Sequence, residues 1–216
     1  MPTPPASAGQ CPANLGPLII GCGALAAELR AVLHSGGLEQ AVEVRYLPAH
    51  FHNRPDRIVP ALHEALADAG ERQVLIAYAD CGTGGALDRF VAERPRTTRL
   101  PGAHCYELFA GAELFAALHE SEPGTFYLTD YLARHFDPLV WQGLGLDRHP
   151  QLRDAYFGNY HRVVLLTQSD DPAVVAAGRT AANRLGLRFE HRHVGRGGLA
   201  DAVTAGTAVT VGQRVA

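Results

Sequence analysis

Short apolar runs alternate with helix-spaced segments along most of the chain. Runs rich in β-branched and aromatic residues, such as LIIGC, VEVRYL, QVLIAYA and RVVLLTQ, are typical of strands. Between them, segments such as ALAAELRAVLHS and AVVAAGRTAANRL place apolar residues three and four positions apart, as helices do. This alternation predicts an α/β fold with a mostly parallel sheet and helices on both faces, a Rossmann-like three-layer sandwich.

Turn and capping residues divide these elements. Pro55 lies at the first turn of the predicted helix PDRIVPALHEALADAG, and Pro60, one turn later, is expected to bend or shorten it. Thr129 or Asp130 is expected to cap a helix that follows the strand GTFYLT. From Cys105 onward, the apolar spacing of ELFAGAELFAALHES predicts one continuous helix.

The first 16 residues differ in composition from the rest. MPTPPASAGQCPANLG is rich in proline, alanine, serine and glycine, and we expect it to be a disordered leader that contains Cys11. We expect residues 17–216 to form a single α/β domain, because this length is within the range of one domain. Two glycine-cysteine turns followed by helices, GCG and DCGTGG, also suggest two related halves.

Composition and charge narrow the class of protein. The chain is 47% hydrophobic and 19% charged, with a net charge of −3, as in ordinary soluble globular proteins. It has no basic run of the kind that binds nucleic acid. It also lacks the roughly 18 consecutive apolar residues of a membrane span and the start of a signal peptide. We expect a cytoplasmic protein with reduced thiols and neither nucleic-acid nor membrane partners.

Three cysteines provide the main functional clue. Cys22, Cys81 and Cys105 each lie where a predicted strand ends in a glycine-rich turn or a helix begins. Ligands of open α/β sheets bind outside the carboxyl ends of the strands, so these thiols could meet at one point. Three thiolates suit a zinc ion with an open position, or a [4Fe-4S] cluster with one free iron. The alternative is that they are small apolar side chains at crowded turns.

Residues beside these cysteines are candidate catalytic groups. His104 and Glu107 flank Cys105, and a helix that begins there is expected to lower the pKa of the thiol. Asp80, next to Cys81, could accept a proton. The alternatives are that Glu107 caps a first helical turn and that Asp80 binds neighbouring backbone N–H groups.

The segment HFHNRPDR follows the second predicted strand. In a parallel sheet it lies at the same edge as Cys22 and Cys81, so His52, Asn53 and Arg54 could bind the anionic part of a substrate. The alternative is a solvated turn before a helix that starts with proline.

Two later loops add further substrate-binding candidates. GLGLDRHP contains Asp147, Arg148 and His149, and YFGNYH contains Tyr156 and Asn159. Both segments are polar, aromatic and without a clear period, as in loops that enclose a ligand.

Several short strings occur in a fixed order: GCGAL, LPAHFHNRPDRI, YADCGTGGALD, GAHCYELFAG, PGTFYLTDYL, GLGLDRHPQL and YFGNYHRVV. On these strings, from Leu18 to about Gly186, the chain resembles the domain of unknown function 1638 family. The resemblance implies a ligand-binding or catalytic role for Cys22, Cys81 and Cys105, which stand in the matching motifs. It also implies a setting in one-carbon metabolism, beside corrinoid-dependent methyltransferases.

Three hypotheses follow. The leading one is a zinc protein of corrinoid-linked methyl transfer, in which three cysteines hold the metal and activate a thiol or methyl-bearing ligand. In it, His52 and Arg54 position the ligand, and Asp80 or Glu107 handles protons. The second is a non-catalytic accessory protein, with zinc or a [4Fe-4S] cluster, that serves a corrinoid protein or methyltransferase. The third is a metal-free enzyme with Cys105 as nucleophile and His104 nearby.

Overall fold

The computed structural model describes residues 16–212, with side chains as far as residue 207. Cys11 and nearly all of the expected leader lie outside the described residues. The strands are β1 Leu18–Cys22, β2 Glu43–Leu47, β3 Val74–Ala77, β4 Thr97–Arg99, β5 Thr125–Thr129, β6 Arg162–Thr167 and β7 Arg188–His193. The helices are α1 Ala26–Ser35, α2 Ile58–Ala65, α3 Ala86–Ala92, α4 Cys105–Ala110, α5 Ala112–Ser121, α6 Asp130–Arg134, α7 Leu152–Phe157, α8 Pro172–Leu185 and α9 Gly197–Gly212.

The strands form two sheets, each of them entirely parallel. The first sheet has the order β2-β1-β3-β4, and the second has the order β5-β6-β7. The predicted α/β, Rossmann-like layering is confirmed, but the strands are divided between two sheets instead of sharing one. Both glycine-cysteine turns belong to the first sheet, so they do not mark one turn per sheet.

Helices cover both faces of the first sheet. Along β1, Ile19 faces one way and packs in a cluster with α1 and α9, which contributes Leu199 and Val203. Its neighbour Ile20 faces the other way and packs with α2 and α3, because successive side chains of a strand alternate between the two faces. The last helix therefore returns from the second sheet to cover the first.

The second sheet is built around β6, which is buried along its whole length. One face packs on α6 and α8, with Leu165 against Leu132 and Val174 in the same cluster. On the other face, Leu166 clusters with Leu118 of α5. The helices that connect β4 to β5 thus cover this second face.

Local chemistry explains how the helices begin and end. The prediction of one continuous helix after Cys105 is wrong. The segment forms two helices, α4 and α5, which are separated at Gly111, and the φ of 79° at Gly111 is in the range that favours glycine. The capping prediction is confirmed, because the Thr129 hydroxyl accepts a hydrogen bond from the Leu132 N–H of α6. Pro60 falls in the first turn of α2, which begins only at Ile58.

Glu28 of α1 is a buried carboxyl group where the two sheets meet. It is 4% exposed, and its Oε2 atom has no hydrogen-bond partner among the described residues. Burial raises its pKa above the ordinary 4.5, and the carboxylate of Asp130 adds to this rise. The folded protein therefore binds more protons than the unfolded chain just above pH 4.5, so that ionisation of Glu28 lowers stability as the pH rises.

We expect Glu28→Gln to raise the free energy of unfolding at pH 7 by about 1 kcal/mol, since it removes a poorly paired buried charge. The gain should shrink as the pH falls toward 4.5 and be small below it, where wild-type Glu28 is protonated in both states. Urea unfolding at pH 4 and pH 7 measures both values. Glu120→Gln, at an exposed position of α5, is the control and should change neither. A gain of equal size at both pH values would rule out this account.

Candidate functional site

Four chemically useful side chains follow the four strands of the first sheet. Across the order β2-β1-β3-β4, the residues at or after the carboxyl ends are His52, Cys22, Cys81 and Cys105. The connections from β1 and β3 leave in opposite directions, so β1 and β3 flank the point where the topology reverses. Such a switch point is the usual ligand crevice of an open α/β sheet. Strand order thus brings Cys105 to the same crevice as Cys22 and Cys81.

Tight turns hold two of these cysteines in place. After Cys22, a Cβ atom on Gly23 would lie 2.9 Å from the Leu47 carbonyl oxygen, so glycine lets this turn approach the end of β2. Cys81 has a φ of 50°, in the left-handed region that non-glycine residues rarely adopt. Such strain costs about 1–3 kcal/mol and is often found at functional sites.

The three cysteines line one small cavity, which we call the thiol cavity. Its volume is about 30 Å³. The described residues around it are Cys22, Ala24, Leu25, His52, Ile58, Tyr78, Cys81, Cys105, Thr129 and Leu132. Thr129 and Leu132 come from the end of β5 and from α6, so the second sheet closes the cavity. The volume suits one water molecule or a single ion.

Burial keeps the three thiols protonated at neutral pH. It raises the pKa of Cys22, raises that of Cys81 to about 12, and raises that of Cys105 well above its ordinary value. A negative charge on either of the other two thiols would raise the pKa of Cys105 further, because all three line the thiol cavity. The prediction that the start of α4 lowers the pKa of Cys105 is wrong, because loss of solvation outweighs the amide groups of the first turn.

A tyrosine hydroxyl adds an unsatisfied polar atom to the thiol cavity. Tyr78 is 2% exposed, and its hydroxyl has no hydrogen bond of good geometry within the described part of the chain. It lies beside the Cys22 thiol, whose pKa it lowers slightly against the larger effect of burial. The hydroxyl therefore lies where it could donate a hydrogen bond to the Cys22 sulfur once that thiol loses its proton.

A second, larger cavity adjoins the first. Its volume is about 760 Å³, and His52, Cys81 and Cys105 line both cavities. The other described residues around it are Pro55, Gly82, His104, Tyr106, Phe115, His119, Pro123, Gly124, Thr125, Phe126, Tyr127, Tyr156, Asn159 and Tyr160. This large cavity is within the size range of small-molecule sites and gives access to two of the three thiols.

The His52 ring is accessible to solvent but enclosed by protein, since it lines both cavities. This enclosure lowers its pKa, and the neighbouring His104 lowers it further. At neutral pH His52 is therefore an uncharged imidazole that can donate or accept a proton.

Several predicted binding residues lie elsewhere. Arg54 is exposed and makes two hydrogen bonds to Asp56, at 3.0 and 2.9 Å. The Asn53 amide donates to the Leu139 carbonyl oxygen at 2.5 Å and so ties its loop to the segment after α6. Asp147, Arg148 and His149 are all exposed and line neither cavity. Roles for these five residues in ligand binding stay predictions.

Asp80 and Glu107 bind neighbouring backbone N–H groups, which was the alternative to a catalytic role for each of them. The Asp80 carboxylate accepts hydrogen bonds from the Thr83 hydroxyl and from the N–H groups of Gly84 and Gly85. These bonds close the turn that holds Cys81. The Glu107 carboxylate accepts a hydrogen bond from the Ala103 N–H at 2.9 Å, just before α4. Proton transfer by either carboxylate stays a prediction.

Comparison with known protein families gives one match. A family model described as "Protein of unknown function (DUF1638)" matches residues 46–203, well over half of the chain. The chain belongs to the DUF1638 family. The resemblance found in the sequence is thus confirmed, while a link to corrinoid-dependent enzymes stays a prediction. Neither curated proteins nor solved structures yielded a match.

The DUF1638 match covers most of the site but not all of it. His52, Cys81 and Cys105 lie within the matched residues, whereas Cys22 lies before them. Cys22 ends β1, which stands between β2 and β3 in the first sheet. In this DUF1638 protein the matched segment therefore depends on a preceding strand, both for its sheet and for the third thiol.

Some site residues of this DUF1638 protein were missed in the sequence. They are Tyr78, Tyr106, Phe115, His119 and Tyr127. Tyr78 stands in the apolar run before Cys81 and looks like an ordinary core residue. Phe115 and His119 are four positions apart on α5, and this separation in the sequence could have indicated that they share a helix face. In the structure their ring centroids lie 6.5 Å apart.

Two further findings concern metal-binding groups and membrane-spanning helices among the described residues. No three His, Cys, Asp or Glu side chains there stand close enough, as placed, to hold a metal ion. No helix in the same part of the chain is long and apolar enough to cross a membrane.

Proposed function

We propose that Cys22, Cys81 and Cys105 bind a single metal ion, preferably zinc, with an open position toward the large cavity. The observation that carries this proposal is that all three thiols line one cavity of ionic size. Three protein ligands and one open position are the usual arrangement of a catalytic zinc site.

Three cysteine sulfur atoms are suitable ligands for a zinc ion. In the structure, however, the three thiols are placed as free cysteines and not as metal ligands. Three sulfur ligands suit zinc, and the unpartnered Tyr78 hydroxyl could donate a hydrogen bond to a thiolate. Since no three candidate ligands among the described residues stand at metal-binding distances, the thiols must draw together on binding. A cysteine can do this by rotation about its single side-chain bond. Binding also has to displace the thiol protons.

The size of the thiol cavity favours one ion over a cluster. A volume of about 30 Å³ accepts one small ion, whereas a [4Fe-4S] cluster would have to extend into the large cavity. Cys81 and Cys105 open onto that cavity, so an electron-delivering accessory protein with a cluster is the second candidate.

The neighbouring residues have distinct parts in this proposal. A bound zinc ion would hold a thiol or methyl-bearing ligand at its open position and keep a sulfur ligand deprotonated. The neutral His52 imidazole lines both cavities and is placed to take up or return a proton. Asp80 maintains the turn that presents Cys81. Methyl transfer in one-carbon metabolism, beside a corrinoid protein or methyltransferase, is the proposed setting.

The test is metal content with an absorption spectrum on protein purified without oxygen. We expect about one zinc ion per chain in the wild type and none in the triple variant Cys22→Ser, Cys81→Ser, Cys105→Ser. Cys11→Ser, outside the fold described, is the matched control and should keep the metal. Iron with a broad charge-transfer band would instead favour the cluster. An absence of metal from the wild type, or metal kept by the triple variant, would refute the proposal.

A further inference from the structure

The wall of the large cavity has a composition that selects its ligand. We infer that this cavity binds an uncharged, planar ring compound and holds it beside Cys81 and Cys105. The inference extends the proposed function, because the ring would present its reactive group to the thiols. Its test, however, requires no metal.

The first argument is charge. Among the described residues that line the large cavity, none is Asp, Glu, Lys or Arg. Arg54, the expected anchor for an anion, is paired with Asp56 outside the cavity. Since a charged ligand would lose its hydration without gaining an opposite charge, an uncharged ligand is favoured.

The second argument is the arrangement of aromatic rings. On one side, Tyr127 has its ring centroid 5.6 Å from that of Tyr106 and 5.1 Å from that of Phe115. On the other side, Phe126 meets Tyr160 at 5.9 Å with the rings nearly perpendicular. These rings lie on both faces of β5, an edge strand of the second sheet, where a flat aromatic ligand can stack or make edge contacts.

Three probes of matched shape test the inference by calorimetry at pH 7. They are quinoline, which is uncharged, the N-methylquinolinium cation and the quinoline-3-carboxylate anion. We expect quinoline to bind at least about tenfold more tightly than either ion, because only the ions lose hydration without compensation. Binding of either ion as tight as that of quinoline, or no binding of quinoline at all, would overturn the inference.

Two variants locate the binding. Phe115→Ala removes part of the aromatic wall and should weaken quinoline binding about fivefold. Leu114→Ala changes an exposed neighbour that does not line the cavity, and binding should be unchanged. The comparison of three probes on the wild type stands even if Phe115→Ala fails to fold.

The same measurement separates this inference from the metal proposal. The triple cysteine-to-serine variant should still bind quinoline, because the aromatic walls remain. Quinoline binding without metal would leave this inference standing and the metal proposal refuted. If the wild type contained metal but did not bind quinoline, the metal proposal would stand and this inference would be refuted.

Discussion

Gly198→Ala is expected to lower the free energy of unfolding by about 2–3 kcal/mol, as overpacking of a tight contact does. Gly198 is the second residue of α9, where α9 meets α4. A Cβ atom there would lie far inside contact distance of the Leu108 carbonyl oxygen. Helix α9 would have to move away from α4, which begins with Cys105. Urea unfolding measures the loss, and metal content should fall with it.

Gly197→Ala is the matched control. It makes the same change one residue earlier in α9, where a Cβ atom would have nothing within 4 Å. Alanine favours helix over glycine by up to about 1 kcal/mol, so this variant should be neutral or slightly more stable. If both variants had the same stability, the close approach of α9 to α4 would not be what constrains Gly198.

Asp130→Ala is expected to cost about 3 kcal/mol, since it leaves buried hydrogen-bonding groups without partners. Asp130 is 1% exposed, and its carboxylate accepts hydrogen bonds from the Gln168 N–H at 2.9 Å and from the Ser169 hydroxyl. Its own N–H donates to the Gln168 side-chain oxygen at 3.0 Å. These bonds join the carboxyl ends of β5 and β6 behind the thiol cavity. Thermal and urea unfolding measure the loss.

Two further variants separate hydrogen bonding from charge. Asp130→Asn can still accept from Gln168 and donate to Ser169, so it should cost less than Asp130→Ala. Asp171→Ala removes a partly exposed carboxylate that caps α8 and pairs with Arg134, a change that typically costs about 1 kcal/mol. The argument fails if Asp130→Ala loses no more stability than Asp171→Ala.

The α/β layering could be predicted because alternating strands and helices leave a clear periodic pattern. The division into two sheets could not, because periodicity does not say which strands pair. Strand β4 is only Thr97–Arg99, and its neighbour in the sheet is decided by tertiary packing. The break between α4 and α5 at Gly111 could not be predicted, because the helical spacing of apolar residues continues on both sides of it.

The candidate site was only partly accessible from the sequence. The positions of Cys22, Cys81 and Cys105 at strand ends indicated that they could meet, but only the strand order places them around one cavity. The pKa of Cys105 depends on burial, in which loss of solvation opposes the local effect of the helix start. The unpartnered Tyr78 hydroxyl depends on contacts far apart in the chain, and no local pattern marks it.

The return of α9 to the first sheet has a consequence for biosynthesis. Ile19 and Leu75 are made early, but Leu199 and Val203, which pack in the same cluster, leave the ribosome only after the second sheet has been made. The part of this apolar face that α1 does not cover therefore stays open during most of translation, which makes the nascent chain a target for chaperones. A chain that stops before α9 would keep this face exposed and aggregate.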